Sequence, residues 1–117
     1  MLYSTRYNAR TIRDHVEHLR KRGYVWWGRF YTGPTRFDAA AARARWPHVA
    51  QLAAERALAK EPSLLFVTDH HALHVFDVTR ILFGDDPGEG ARDEAMPNYA
   101  DKSVPLWFRV RDSRALS

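Results

Sequence analysis

The residues best equipped for chemistry fall in two places. The segment TDHHALHVFD, residues 68–77, holds Asp69, His70, His71, His74 and Asp77, all types that bind metals or move protons. The segments YVWWGRFY (24–31) and LWFRVRD (106–112) each set tryptophan beside arginine. Indole stacks on a nucleobase and guanidinium grips a phosphate through paired hydrogen bonds, so these two segments are suited to a nucleic acid.

The histidine segment does not read as a metal centre. Its Val, Phe and Thr content indicates strand, where adjacent His70 and His71 diverge and His74 and Asp77 have opposite parity. No metal and no other cofactor is expected. The letters Asp69-His70-His71 match the DHH phosphoesterase signature, but that family is much longer and needs further aspartates around its metals. Together with Arg109 or Arg111, one of His70, His71 and His74 could supply acid, base and phosphate clamp for a small ribonuclease or toxin. This is the alternative to a binding role. The chain has no glycine-rich phosphate loop, serine elbow or paired carboxylates flanked by strands, so the balance favours a protein that is not an enzyme.

Two adjacent tryptophans on one strand must leave it on opposite faces. Parity puts Tyr24, Trp26, Gly28 and Phe30 on one face of 24–31, and Val25, Trp27, Arg29 and Tyr31 on the other. Only the first set lacks a charged residue, which predicts that Trp26 is the core indole and that Trp27 faces something polar. In the closing strand Leu106, Phe108 and Val110 point inward, and Trp107, Arg109 and Arg111 outward. The expected site is therefore Trp27 and Trp107 as stacking surfaces, with Arg29, Arg109 and Arg111 on phosphates.

The elements that would position these groups follow from pattern and punctuation. LYSTRY (2–7) alternates as a first strand. Asn8 or Thr11 caps a helix, Thr11 and Asp14 standing at capping-box spacing, with Ile12, Val16 and Leu19 as its apolar stripe. Arg20, Lys21 and Arg22 read as a cationic helix end before Gly23. Residues 37–60 are alanine-rich and helical, and Pro47 either breaks them or opens a second helix. Residues 64–83 read as two strands with a turn at 69–72, the run Leu64 to Val67 suiting a strand covered on both faces. The acidic, glycine- and proline-containing stretch 85–101 reads as a long, partly disordered loop before the last strand, 106–112. The fold class is α+β: a small mixed five-stranded β-barrel or strongly curved sheet with two to three helices.

The bulk numbers fit one domain over residues 1–117. The chain is 45% hydrophobic and 27% charged, enough for a single core. With no cysteine, disulfides and thiolate ligands are excluded. Lys and Arg total 18 against 14 Asp and Glu, and the pI near 9.8 favours polyanionic partners. No apolar run approaches the ~20 residues of a membrane span, and MLYSTRYNAR has no signal-peptide hydrophobic region, so no membrane is expected and the compartment is cytoplasmic.

The order of elements, the hairpin LLFVTDHHALHVFDVTRI and the last strand VPLWFRVRD resemble the PUA-like superfold that includes the EVE, ASCH and YTH domains. The resemblance rests on helices after the first and second strands and on His74 to Ile81 fitting the family's apolar-x-apolar-x-Val-x-x-Ile strand. It implies binding of DNA or RNA, with a modified or flipped base held in an aromatic cage. By residue type the cage would be Trp26 or Trp27 with Trp107, Tyr31 as a third wall, and Asp69 as a base-edge acceptor. It further implies a module of a modification-sensing restriction or phage-defence system, working beside a nuclease or other effector. A third reading makes the domain a protein-interaction or nucleotide-sensing unit whose aromatics form a partner surface.

Overall fold

Gly23 sets the first turn of the architecture. Helix α1, Ala9–Arg22, ends there because Gly23 takes φ 85°, a left-handed conformation open to glycine, while its N–H caps the Leu19 carbonyl at 2.7 Å. The computed structural model describes residues 2–6, 9–33, 35–58, 63–68, 73–99 and 102–112. In it the chain runs β1 (Leu2–Arg6), α1, β2 (Val25–Tyr31), α2 (Ala39–Arg45), α3 (Pro47–Leu58), β3 (Ser63–Thr68), β4 (Leu73–Phe83), α4 (Ala91–Glu94), a 3-10 turn (Pro97–Tyr99) and β5 (Ser103–Asp112).

The fold is α+β. Strands β3, β4, β5 and β2, in that spatial order and all antiparallel, form a curled half-barrel, and β1 pairs parallel to β3 at its edge. The sheet is thus open and curved. Thr68 pairs with Leu73 where β3 and β4 meet; the turn expected at 69–72, with Asp69, His70 and His71, lies outside the described residues. Pro47 is the first residue of α3, where its fixed φ suits a helix start and its missing N–H costs nothing. Asp38 caps α2, its carboxylate accepting from the Ala41 N–H at 2.7 Å. Because α1 already begins at Ala9, Thr11 lies within its first turn, and the expected capping box with Asp14 does not form.

Both faces of the sheet are covered. On one, α1, α2 and α3 close the larger core, in which Ile12, Leu19, Ala42 and Val49 meet Val25, Trp27, Leu65, Val67, Phe76, Val78, Leu106, Phe108 and Val110. Each such side chain taken out of water contributes about 1.5–3 kcal/mol. On the other face a smaller core joins Trp26, Leu82, Val104 and Trp107 to Ala91 and Tyr99. Residues 85–99, part of the stretch 85–101 expected as a long, partly disordered loop, are the cover for that second face.

This second cover corrects the parity expected for β2. Trp27 pairs with Phe108 and Val25 with Val110, so Val25, Trp27, Arg29 and Tyr31 belong to the larger-core face, and Trp26 to the smaller one. The expected reading assumed one buried face per strand, and β2 has two. The strand β3 departs the other way. Leu65 and Val67 are buried while Leu64 and Phe66 are only partly so, which makes it a one-sided strand and not the doubly covered one expected.

Candidate nucleic-acid interface

The three sheet tryptophans do not form a cage. Trp26, Trp27 and Trp107 are 1%, 0% and 0% exposed, and Trp27 lies on the opposite face of the sheet from the other two. Trp27 is packed between His15, stacked on it with centroids 4.0 Å apart, and Phe76 at 5.8 Å. Trp107 donates its Nε1–H to the Gly84 carbonyl at 3.0 Å, lies against Tyr99, and carries the Arg92 guanidinium 5.2 Å from its centre. The expected convergence of Trp27 and Trp107 on one wet hollow is thereby overturned: each indole is sealed beneath its own cover. No base can stack on either in this conformation.

The arginines expected on phosphates are also dispersed. Arg109 lies flat over the Tyr24 ring at 3.9 Å and is 3.5 Å from the Thr79 hydroxyl. Arg111 faces Asp77, with Nε 3.6 Å from its carboxylate. Arg29 pairs with Leu106 on the larger-core face, apart from both. Tyr31 is half-buried and edge-on to Phe37 and Trp46. His74 is half-buried and stacks on Phe76, and among the described residues no group of His, Asp and Glu could hold a metal.

One polar cluster outside the expected site has the residue types of phosphodiester chemistry. Tyr24 donates its hydroxyl to Glu94, Arg109 covers the Tyr24 ring, and His18 lies within electrostatic reach of Glu94. Burial, and then Arg22, push the His18 pKa below its usual value. Tyrosine and carboxylate here satisfy one another, and the guanidinium is spent on the ring. The cluster clamps α4 to the start of β2 and leaves no free acid-base pair.

Free cationic groups gather instead on α1. Arg10, Arg13, Arg20, Lys21 and Arg22 are exposed, Glu17 is the sole exposed acid among them, and none of the six forms an ion pair among the described residues. At 3.6 residues per turn, Arg10, Arg13, Arg20 and Lys21 fall within an arc of about 100° opposite Ile12 and Leu19. The stripe is about 17 Å long, the axial rise of about five nucleotides on one duplex strand. The signal was present in the spacing 10, 13, 20, 21, but Arg20 to Arg22 alone read as a helix end.

The exposed aromatic of β2 is Phe30, 37% exposed, which parity had placed in the core. The pairing of β2 with β5 slips between Arg29 and Tyr31, with the extra residue on β5, and Phe30 lies at the rim of the smaller core, one side against Tyr99. It lines a cleft of about 460 Å³ with Tyr31, Thr32, Gly33, Lys102 and Ser103. No family model matches the chain, and neither does any curated protein or solved structure.

Proposed function

We propose that this domain is a nucleic-acid-binding module that holds the phosphate backbone of DNA or RNA against the outer face of α1. One observation carries the reading: five exposed cations with one exposed acid between them, on a helix whose opposite side is fixed in the core. Cations without acidic partners release the counterions of a polyanion on contact, and a rigid helix presents them without first being ordered. The net charge of +4 favours the same class of partner. The resemblance of the sequence to PUA-like domains points the same way, with the cytoplasm as the proposed compartment and an effector as the proposed companion.

The test is oligonucleotide binding followed by fluorescence anisotropy at about 50 and about 200 mM salt. Affinity falls by ~0.7–0.9 log units per log unit of salt for each phosphate neutralised. The variant Arg13→Gln/Arg20→Gln/Lys21→Gln reduces that slope by about two to three units while melting as the parent does. A parent slope of zero, or a variant slope equal to the parent's, ends this reading.

A further inference from the structure

The cleft beside Phe30 is built more firmly than a surface aromatic requires. One side of the Phe30 ring rests on Tyr99, centroids 5.1 Å apart, and the Tyr99 hydroxyl is in turn held by His15 at 2.8 Å. On the other wall Lys102 is fixed through its backbone. Its N–H donates to the Tyr99 carbonyl at 3.2 Å, and its carbonyl accepts from Arg36 at 3.2 Å and Arg92 at 3.4 Å. Ser103 is anchored by its hydroxyl to Asp85 at 3.3 Å. The side chain of Lys102 alone is left exposed, its ammonium 5.4 Å from the centre of the Phe30 ring.

We infer that this cleft binds a planar base together with its phosphate, the base stacking on Phe30 and the phosphate pairing with Lys102. An exposed ammonium-ring contact is weak, and the lysine stem is long enough to exchange the ring for an anion. The ring face it uncovers is then free for a base, a stronger contact than the one given up. The position also suits the ligand. His15 joins α1 to Tyr99, and Tyr99 touches Phe30, so the cleft is built on the same packed unit as the helix that carries the cations. This inference rests on the nucleic-acid reading for the polymer, and on the cleft alone for the base-phosphate unit. The same chemistry could arrive as a free nucleotide or as an unpaired base of a single strand.

The experiment separates these sources with three probes: a thymidine homopolymer, a duplex of mixed sequence, and adenosine monophosphate followed by the amide resonances of residues 30–33 and 102–103. Phe30→Ala weakens single-strand binding about tenfold, Phe30→Tyr restores it, and duplex binding stays unchanged because the α1 contacts remain. Lys102→Gln, an exposed substitution that cannot unfold the domain, weakens the single strand in the same direction. Were the parent to bind neither polymer while the monophosphate still shifts residues 30–33 and 102–103, the α1 reading fails and the cleft stands as a nucleotide site. Single-strand affinity untouched by both Phe30→Ala and Lys102→Gln, or single-strand and duplex affinity lost together in Phe30→Ala, overturns the inference. So does a monophosphate titration that moves none of these resonances when neither polymer binds.

Discussion

His15 and Tyr99 are joined by a hydrogen bond of 2.8 Å that ties the larger core to the smaller one. The Nδ1 atom of His15 lies 2.7 Å from the Thr11 carbonyl, which can only accept, so Nδ1 carries the proton and Nε2 accepts from the Tyr99 hydroxyl. A second proton would displace that donor. Burial is the main reason the His15 pKa falls to about 4; His18 adds to the fall, and the Thr11 carbonyl and Asp14 oppose it.

This makes stability depend on pH in a stated direction. The unfolded chain titrates His15 near 6.5 and the folded one near 4, so between these values the unfolded state binds more protons. Stability is complete above pH 6.5 and is lost as pH falls toward 4, by about 3 kcal/mol at most. Urea denaturation at intervals across that window measures the loss. His15→Phe, which cannot be protonated, removes most of the slope; His18 contributes the remainder in the same direction. An unchanged slope in that variant contradicts the neutral, buried imidazole.

Gly28 marks where the second cover sits closest. A Cβ there would stand 2.5 Å from Val104 Cγ1 and 3.0 Å from Tyr99 Cε1. Gly28→Ala therefore forces Val104, and with it Tyr99, away from its place beside β2 and costs about 1–3 kcal/mol, by the usual cost of overpacking. Thermal melts check it, and Val104→Ala in the same chain recovers part of the loss by removing the closest overlap.

Asp85 is the junction of three chain segments. Its buried carboxylate accepts from the Phe37 N–H at 2.7 Å through one oxygen and the Val104 N–H at 2.6 Å through the other, with Arg36 at 3.4 Å. Asparagine has only one accepting oxygen, so Asp85→Asn turns an amide N–H toward a backbone N–H. A loss of about 2–4 kcal/mol in urea denaturation is expected, and a larger one for Asp85→Ala.

Tryptophan fluorescence reports the burial of the indoles directly. With Trp26, Trp27 and Trp107 inaccessible and Trp46 only partly so, emission is blue-shifted and iodide quenches a minor fraction of it. Quenching of most of the emission in the folded protein would restore the exposed cage.

What the sequence made legible is local. The stripe of Ile12, Val16 and Leu19, the helix restart at Pro47 and the inward side of β5 all follow from periods and punctuation. His15 could have been read too, since it shares the buried arc with Ile12 and Leu19. The face of β2 could not. Its answer depends on Tyr99 filling the space that Gly28 leaves empty, and the intervening segment has glycines, prolines and acids with no period to announce a cover. For the candidate site, parity set Phe30 in the core, whereas it lies at the rim of the smaller core, against Tyr99 and 37% exposed.

The place of β5 in the sheet has a consequence for how the protein is made. This strand comes last among the described elements yet lies between β4 and β2. While the ribosome is still translating residues 103–112, β2 has no strand to pair with, and β4 holds an unpaired edge. Completion of this sheet must wait for β5, and messages that stall before it yield a product whose open edge invites capture by a chaperone.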